Sequence, residues 1–147
     1  MVNLQQSVNS LPLRPGVYIF KDREGRVLYV GKSISVQERV KSHLQAEGTK
    51  SRSLVASTVR VECIPVNFEL EALLLEAELI RKYQPRYNSA AKDDKHPLYI
   101  KVTAKEEFPK VATCRVEHDP KAIYFGPFPG SSIVRQVLRQ VRKIFPY

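Results

Sequence analysis

Two cysteines, 15 acidic side chains against 24 basic ones, and no long apolar run are the scarcities that first bound this 147-residue sequence. Cys63 and Cys114 each sit in a strand-like stretch, and no Cys/His cluster has metal-ligand spacing, so a structural zinc is not expected. Both are expected to be reduced, half-buried thiols of a cytosolic protein. The longest charge-free runs, 1–13 and 122–134, have 13 residues each, short of the roughly 18 apolar residues of a membrane span. The first run is rich in Gln, Asn and Ser and lacks a basic n-region, so it does not read as a secretory signal. No internal repeat or low-complexity segment is present.

What is there points to one globular domain with at most a small appendage. Apolar residues make up 43% and charged residues 27%, enough for a core and against wholesale disorder. The net charge of +9 and pI near 9.7 suit a polyanionic partner, nucleic acid before membrane. The surplus is spread, with 10 basic against 7 acidic residues through Leu73 and 14 against 8 after it.

After a polar leader, Gly16–Phe20 and Val27–Val30 read as the strands of a hairpin across Lys21–Gly25. Ser35 and Glu38 form a capping-box pattern that starts a helix over Val36–Ala46. A short helix is expected over Lys50–Thr58, then a strand over Val59–Val66, with Pro65 marking a sheet edge. Asn67 is the expected N-cap of the longest helix, with Leu70, Leu73, Leu74, Ala77 and Ile80 as its core stripe and Pro85 as its stop. KDDKHP (92–97) reads as an exposed connection. Strands follow over Leu98–Thr103, Val111–Val116 and Ile123–Phe125, then a basic amphipathic helix over Ser131–Phe145. Val134, Val137, Leu138, Val141 and Ile144 form its apolar face and Arg135, Arg139 and Arg142 line another.

Three constellations could carry chemistry. With the hairpin turn centred on Arg23–Glu24, Tyr18 falls opposite Tyr29 and Gly16 opposite Gly31, so two phenols share one face; tyrosine is also simply a good strand former. Lys32 precedes a helix on which Arg39 and His43, at i and i+4, lie on one face about 6 Å apart along the axis. That pair suits a phosphate and a proton transfer, or forms an ordinary solvated face. Glu78 has Arg81 and Lys82 as helical neighbours, whereas Glu76 has only Ala72, Leu73, Leu79 and Ile80. A carboxylate in an apolar stripe is costly unless it meets a cation or metal, or snorkels to solvent. Together these groups can activate a water, neutralise a phosphoryl group and assist a leaving group, which is phosphodiester hydrolysis. A phenol is a weak base at neutral pH, so either a nearby charge lowers its pKa or a metal-bound water does the work instead.

The series Gly16-Val17-Tyr18, Tyr29-Val30-Gly31, Arg39, Glu76 and Asn88 resembles the motifs of the GIY-YIG nuclease family. PGVYIF, LYVGK, EALLLEAELIRKYQPRYN, KDDKHPLYIKVT, FPKVATCR and YFGPFP narrow the resemblance to its UvrC branch, from about Leu11 to Tyr147. The resemblance implies an α+β fold with a small central antiparallel sheet flanked by helices. Residues 1–97 would form the catalytic domain and 98–147 a short β-rich extension ending in the basic helix. It implies one divalent metal ion, Mg²⁺ or Mn²⁺, held by Glu76, with Tyr29 as general base, Lys32 close by and Arg39 on the phosphoryl group. Tyr18 and Asn88 would orient water, metal or phosphate. His43 stands where the UvrC branch commonly has Tyr and other members use His. The implied substrate is lesion-containing double-stranded DNA, cut on the 3′ side with UvrB as partner and UvrA acting upstream, in the bacterial cytoplasm. Arg135, Arg139 and Arg142 either touch DNA phosphates or only solvate the outer helix face. The branch continues into further domains, so the chain is expected to be an excised N-terminal piece. A stand-alone structure-specific nuclease and a non-catalytic binding module are the competing readings.

Overall fold

The computed structural model describes residues 4–88, 98–115, 119–128 and 130–146. The chain divides into two compact units, Met1–Ser89 and Ala90–Tyr147. The KDDKHP connection and Val116 lie outside the described residues.

The first unit runs α1 (Leu4–Asn9), β1 (Gly16–Lys21), β2 (Val27–Ser33), α2 (Val36–Gln45), α3 (Thr49–Ser57), β3 (Arg60–Pro65) and α4 (Glu69–Tyr83). Its sheet is antiparallel in the order β2-β1-β3. The central strand β1 is buried on both faces from Gly16 to Phe20. One core gathers Val8, Tyr18, Phe20, Leu28, Val36, Val40, Leu54, Val61 and Tyr87, which draws α1, α2 and α3 together. Helix α4 packs on β1 and β2. Pro65 ends the edge strand β3, as expected, because its missing N–H needs no ladder partner there.

The second unit runs β4 (Leu98–Val102), β5 (Val111–Cys114), β6 (Ile123–Phe128) and α5 (Ser131–Ile144). Its antiparallel sheet has the order β5-β4-β6, and α5 packs on β4 and β6. Both cysteines are free and partly buried. Among the described residues no helix is long and apolar enough to cross a membrane.

Several local expectations are corrected. The leader is not merely polar coil: α1 buries Val8. Ser35 is the N-cap of α2, but its side chain makes no capping bond. The Ser33 hydroxyl donates to the Ser35 carbonyl (2.8 Å) and accepts its N–H (3.0 Å). The first helical N–H groups go to carbonyls of the α1–β1 loop, Val36 to Arg14 and Gln37 to Pro12, and the Ser35 N–H that a capping box would give to Glu38 goes to Ser33. Phe68, not Asn67, is the N-cap of α4. Asn67 instead accepts from Arg14 (3.1 Å), while its backbone N–H donates to Glu71 (3.0 Å). Leu74 is exposed, and the buried face of α4 comprises Ala72, Leu73, Ala77, Leu79 and Ile80.

Candidate active site

The hairpin register differs from the expected one by two residues. Tyr18 pairs with Gly31 and Phe20 with Tyr29, while Gly16 faces Ser33. Two local features cause this. The Asp22 N–H donates to the Arg26 carbonyl and the Gly25 N–H to the Asp22 carbonyl, with Gly25 at φ +79°, a loop of three residues rather than two. A bulge beside Lys21 then adds one more residue to β2. Each single shift would have turned Tyr29 to the other face; together they restore it. Tyr18 and Tyr29 are therefore diagonal neighbours on one face, their ring centroids 6.1 Å apart.

Gly31 makes room for that arrangement. A Cβ at residue 31 would overlap the Tyr18 ring and hydroxyl, so Tyr18 can lie across β2 only because residue 31 has no side chain. Gly16 answers a different crowding: its Cβ would meet the Ile64 carbonyl at 2.8 Å and Val36 Cγ2 at 3.0 Å.

Helix α2 brings His43 onto the same rings. Its centroid lies 5.7 Å from Tyr18, 5.7 Å from Phe20 and 5.3 Å from Tyr29. The Tyr18 hydroxyl and His43 Nε2 share a hydrogen bond of 3.0 Å. Burial, followed by the Arg39 charge one turn earlier, lowers the His43 pKa. Burial above all, then the Tyr29 phenol, pushes the Tyr18 pKa far up, and Arg39 pulls it part of the way back. Phe20 completes this aromatic group. The sequence reading gave it no role, although its position two residues after Tyr18 puts it on the same face.

Glu76 occupies the middle of α4's buried face, with Ala72, Leu73, Leu79 and Ile80 all buried around it. Burial raises its pKa; the Lys32 charge and the Lys32 backbone N–H oppose the rise. Tyr29 is raised by burial first and by the Glu76 charge second, against the Tyr18 hydroxyl and Arg39, which lower it. Tyr18, Tyr29, Lys32, Arg39, His43 and Glu76 are thus linked through one local electrostatic field.

Asn88 enters differently. Its Oδ1 accepts the Val30 N–H (2.9 Å) and its Nδ2 donates to the Val30 carbonyl (2.8 Å). Tyr87 N–H donates to the Leu28 carbonyl beside it (3.0 Å). The chain leaving α4 therefore closes the free edge of β2, and Asn88 fixes the backbone next to Tyr29. Arg135, Arg139 and Arg142 are exposed residues of α5 in the second unit.

Known proteins agree with this assembly. The family model for the UvrC-like GIY-YIG domain matches residues 14–89. The UvrABC system protein C of Desulforudis audaxviator is 43% identical over 142 residues, covering 96% of this chain and 23% of the relative. That of Acetivibrio thermocellus is 43% identical over 150 residues, covering 99% and 24%. The chain thus spans about a quarter of the length of the curated relatives it matches. A crystal structure of the GIY-YIG N-terminal endonuclease domain of UvrC from Thermotoga maritima, bound to its catalytic divalent cation magnesium, superposes with a TM-score of 0.56. It is 36% identical and covers 60% of this chain and 98% of that one.

Proposed function

The chain belongs to the UvrC-like GIY-YIG family, and from that premise we propose that its first unit is a DNA endonuclease domain using one divalent cation held by Glu76. One observation carries the reading: a carboxylate embedded in the buried face of α4 raises the pKa of the Tyr29 phenol beside it. Left so, the pair disfavours its own charged forms; positive charge brought to Glu76 makes both accessible.

The donor set fits a hard cation. Among the described residues no group of three His, Cys, Asp or Glu side chains could hold a metal, so a closed zinc site is not offered. One carboxylate is the usual protein share for Mg²⁺, which retains waters and takes substrate phosphate oxygens; Mn²⁺ accepts the same donors. When bound, the cation supplies charge neutralisation and acidifies water.

The chain's own residues divide the remaining work. Tyr29 accepts the proton of the attacking water, with the Arg39 charge favouring the phenolate, while the Lys32 charge favours the ionised Glu76. Arg39 presents its donor fork to the phosphoryl oxygens. Tyr18 and His43 pack against the Tyr29 ring, and Asn88 fixes the strand that carries it. We place catalysis in residues 1–97 and read 98–147 as the extension. In the full-length protein the substrate would be lesion-bearing double-stranded DNA, incised on the 3′ side together with UvrB after UvrA has acted, in the bacterial cytoplasm.

The test is Glu76→Gln in a reconstituted incision reaction with Mg²⁺. Loss of several kcal/mol of transition-state stabilisation lowers the 3′ incision rate by about 100-fold or more, with the far-UV spectrum unchanged. Incision at the wild-type rate by the folded variant would remove the metal assignment.

A further inference from the structure

Helix α2 carries two of the site residues, Arg39 and His43, yet only Val36 and Val40 of its ten residues are buried. Two valines one turn apart hold a helix down but resist rotation about its axis weakly, because apolar burial is non-directional. At about 100° per residue, Gln37 falls roughly 80° to one side of this stripe and Arg39 roughly 80° to the other. A turn of about 10° moves a group about 5–6 Å from the axis by about 1 Å, and a misplacement of about that size costs up to about 100-fold in rate.

The leader grips the flank away from the site. The Gln37 N–H donates to the Pro12 carbonyl (3.1 Å), and its side-chain Nε2 donates to the carbonyls of Asn9 (2.7 Å) and Leu11 (3.1 Å). Its Oε1 accepts from Lys41 Nζ, one turn on (3.2 Å). Asn9 ends α1, where a carbonyl has no partner within its own helix. A six-residue helix does not persist alone in water, so α1 owes its place to these bonds and to Val8, buried in one core with Tyr18, Val36 and Val40. Glutamine suits the position because its two amide hydrogens meet two carbonyls while its oxygen meets an ammonium. On the other flank, His43 Nε2 shares its bond with the Tyr18 hydroxyl (3.0 Å).

We propose that Gln37 is a positioning residue: by tying the leader to one flank of α2, it fixes the rotation at which Arg39 and His43 meet the site on the other. It acts through those two side chains, so the inference rests on the proposed assignment of Arg39 to the phosphoryl group.

The experiment measures steady-state 3′ incision in the reconstituted reaction, at a temperature where each variant is folded by circular dichroism. Gln37→Met keeps the length and the helix propensity but donates nothing from its side chain. It lowers kcat about ten-fold, with KM for DNA within about two-fold. The exchange Gln37→Lys/Lys41→Gln returns a donor to the two carbonyls and brings kcat back to within about three-fold of wild type. In ¹⁵N-labelled protein the His43 Nε2 resonance shifts in Gln37→Met and returns in the exchanged pair. A residue that only stabilised the fold would lower Tm and leave kcat and this resonance unmoved. Wild-type kcat in folded Gln37→Met overturns the proposal, as does an unmoved His43 resonance or an exchanged pair that stays slow. Should Gln37→Met fail to fold, the exchanged pair decides alone, and a ten-fold loss of its kcat refutes the role. Arg39→Ala cutting at the wild-type rate would overturn the site assignment and this inference with it, whereas wild-type kcat in Gln37→Met removes the positioning role alone.

Discussion

The Tyr18 ring lies where a side chain at residue 31 would be, directly across the hairpin from it. This makes the tyrosine of one motif and the glycine of the other a single packing unit. Gly31→Ala forces the ring off its bond with His43 and costs about 1–3 kcal/mol, as overpacking does. The melting temperature falls by several degrees and nicking is lost. A double-mutant cycle with Tyr18→Ala checks the cause: the two losses are strongly non-additive, because removing the ring removes the clash. Additive losses would show that the glycine serves another purpose.

Asn88 acts on the site through the backbone of Val30. Asn88→Ala leaves a buried N–H and C=O without their partners and destabilises the first unit by about 2–4 kcal/mol. The amide of Val30 then exchanges hydrogen faster than those of β1, and the incision rate falls while DNA affinity holds. Urea melts and amide exchange on the isotopically labelled chain measure both parts.

His43 has a pKa below its ordinary 6.5 because it is buried beside Arg39 and faces Tyr18, Phe20 and Tyr29. The unfolded chain therefore takes up this proton first as pH drops. The contribution to stability is complete above about pH 6.5 and is lost as pH falls from there toward the folded value. His43→Gln removes this part of the slope, which urea melts between pH 5 and pH 8 on the order of half a unit apart resolve.

The three exposed arginines of α5 are testable through salt. If Arg135, Arg139 and Arg142 each meet a phosphate, replacing all three with Gln lowers the slope of log K against log salt by about 2.7 for duplex DNA. An unchanged slope assigns them to solvation of the helix.

Glu76 shows why part of the site was legible beforehand. Helical periodicity alone surrounds it with Ala72, Leu73, Leu79 and Ile80, and those residues are buried. The face shared by Tyr18 and Tyr29 matches the expectation because the extra loop residue and the bulge cancel in parity, but their pairing does not. It hung on a three-residue loop and a bulge, features that differ by small local energies and that the tertiary packing of Phe20 and Leu28 selects. Ser35 and Asn67 failed as side-chain caps because of partners distant in sequence: the Arg14 and Pro12 carbonyls accept the first N–H groups of α2, and the Arg14 guanidinium takes up the Asn67 side-chain oxygen.

The sequence by itself determined the order of elements after α1, the basic balance and the apolar setting of Glu76, all of which follow from short-range periodicity and side-chain chemistry. Only the tertiary structure decided that Tyr18 rests on Gly31, that His43 bonds to Tyr18, and that Asn88 closes the edge of β2. Each of these joins strands or helices through register and chain path, and register is set by packing between segments that no single stretch of sequence contains.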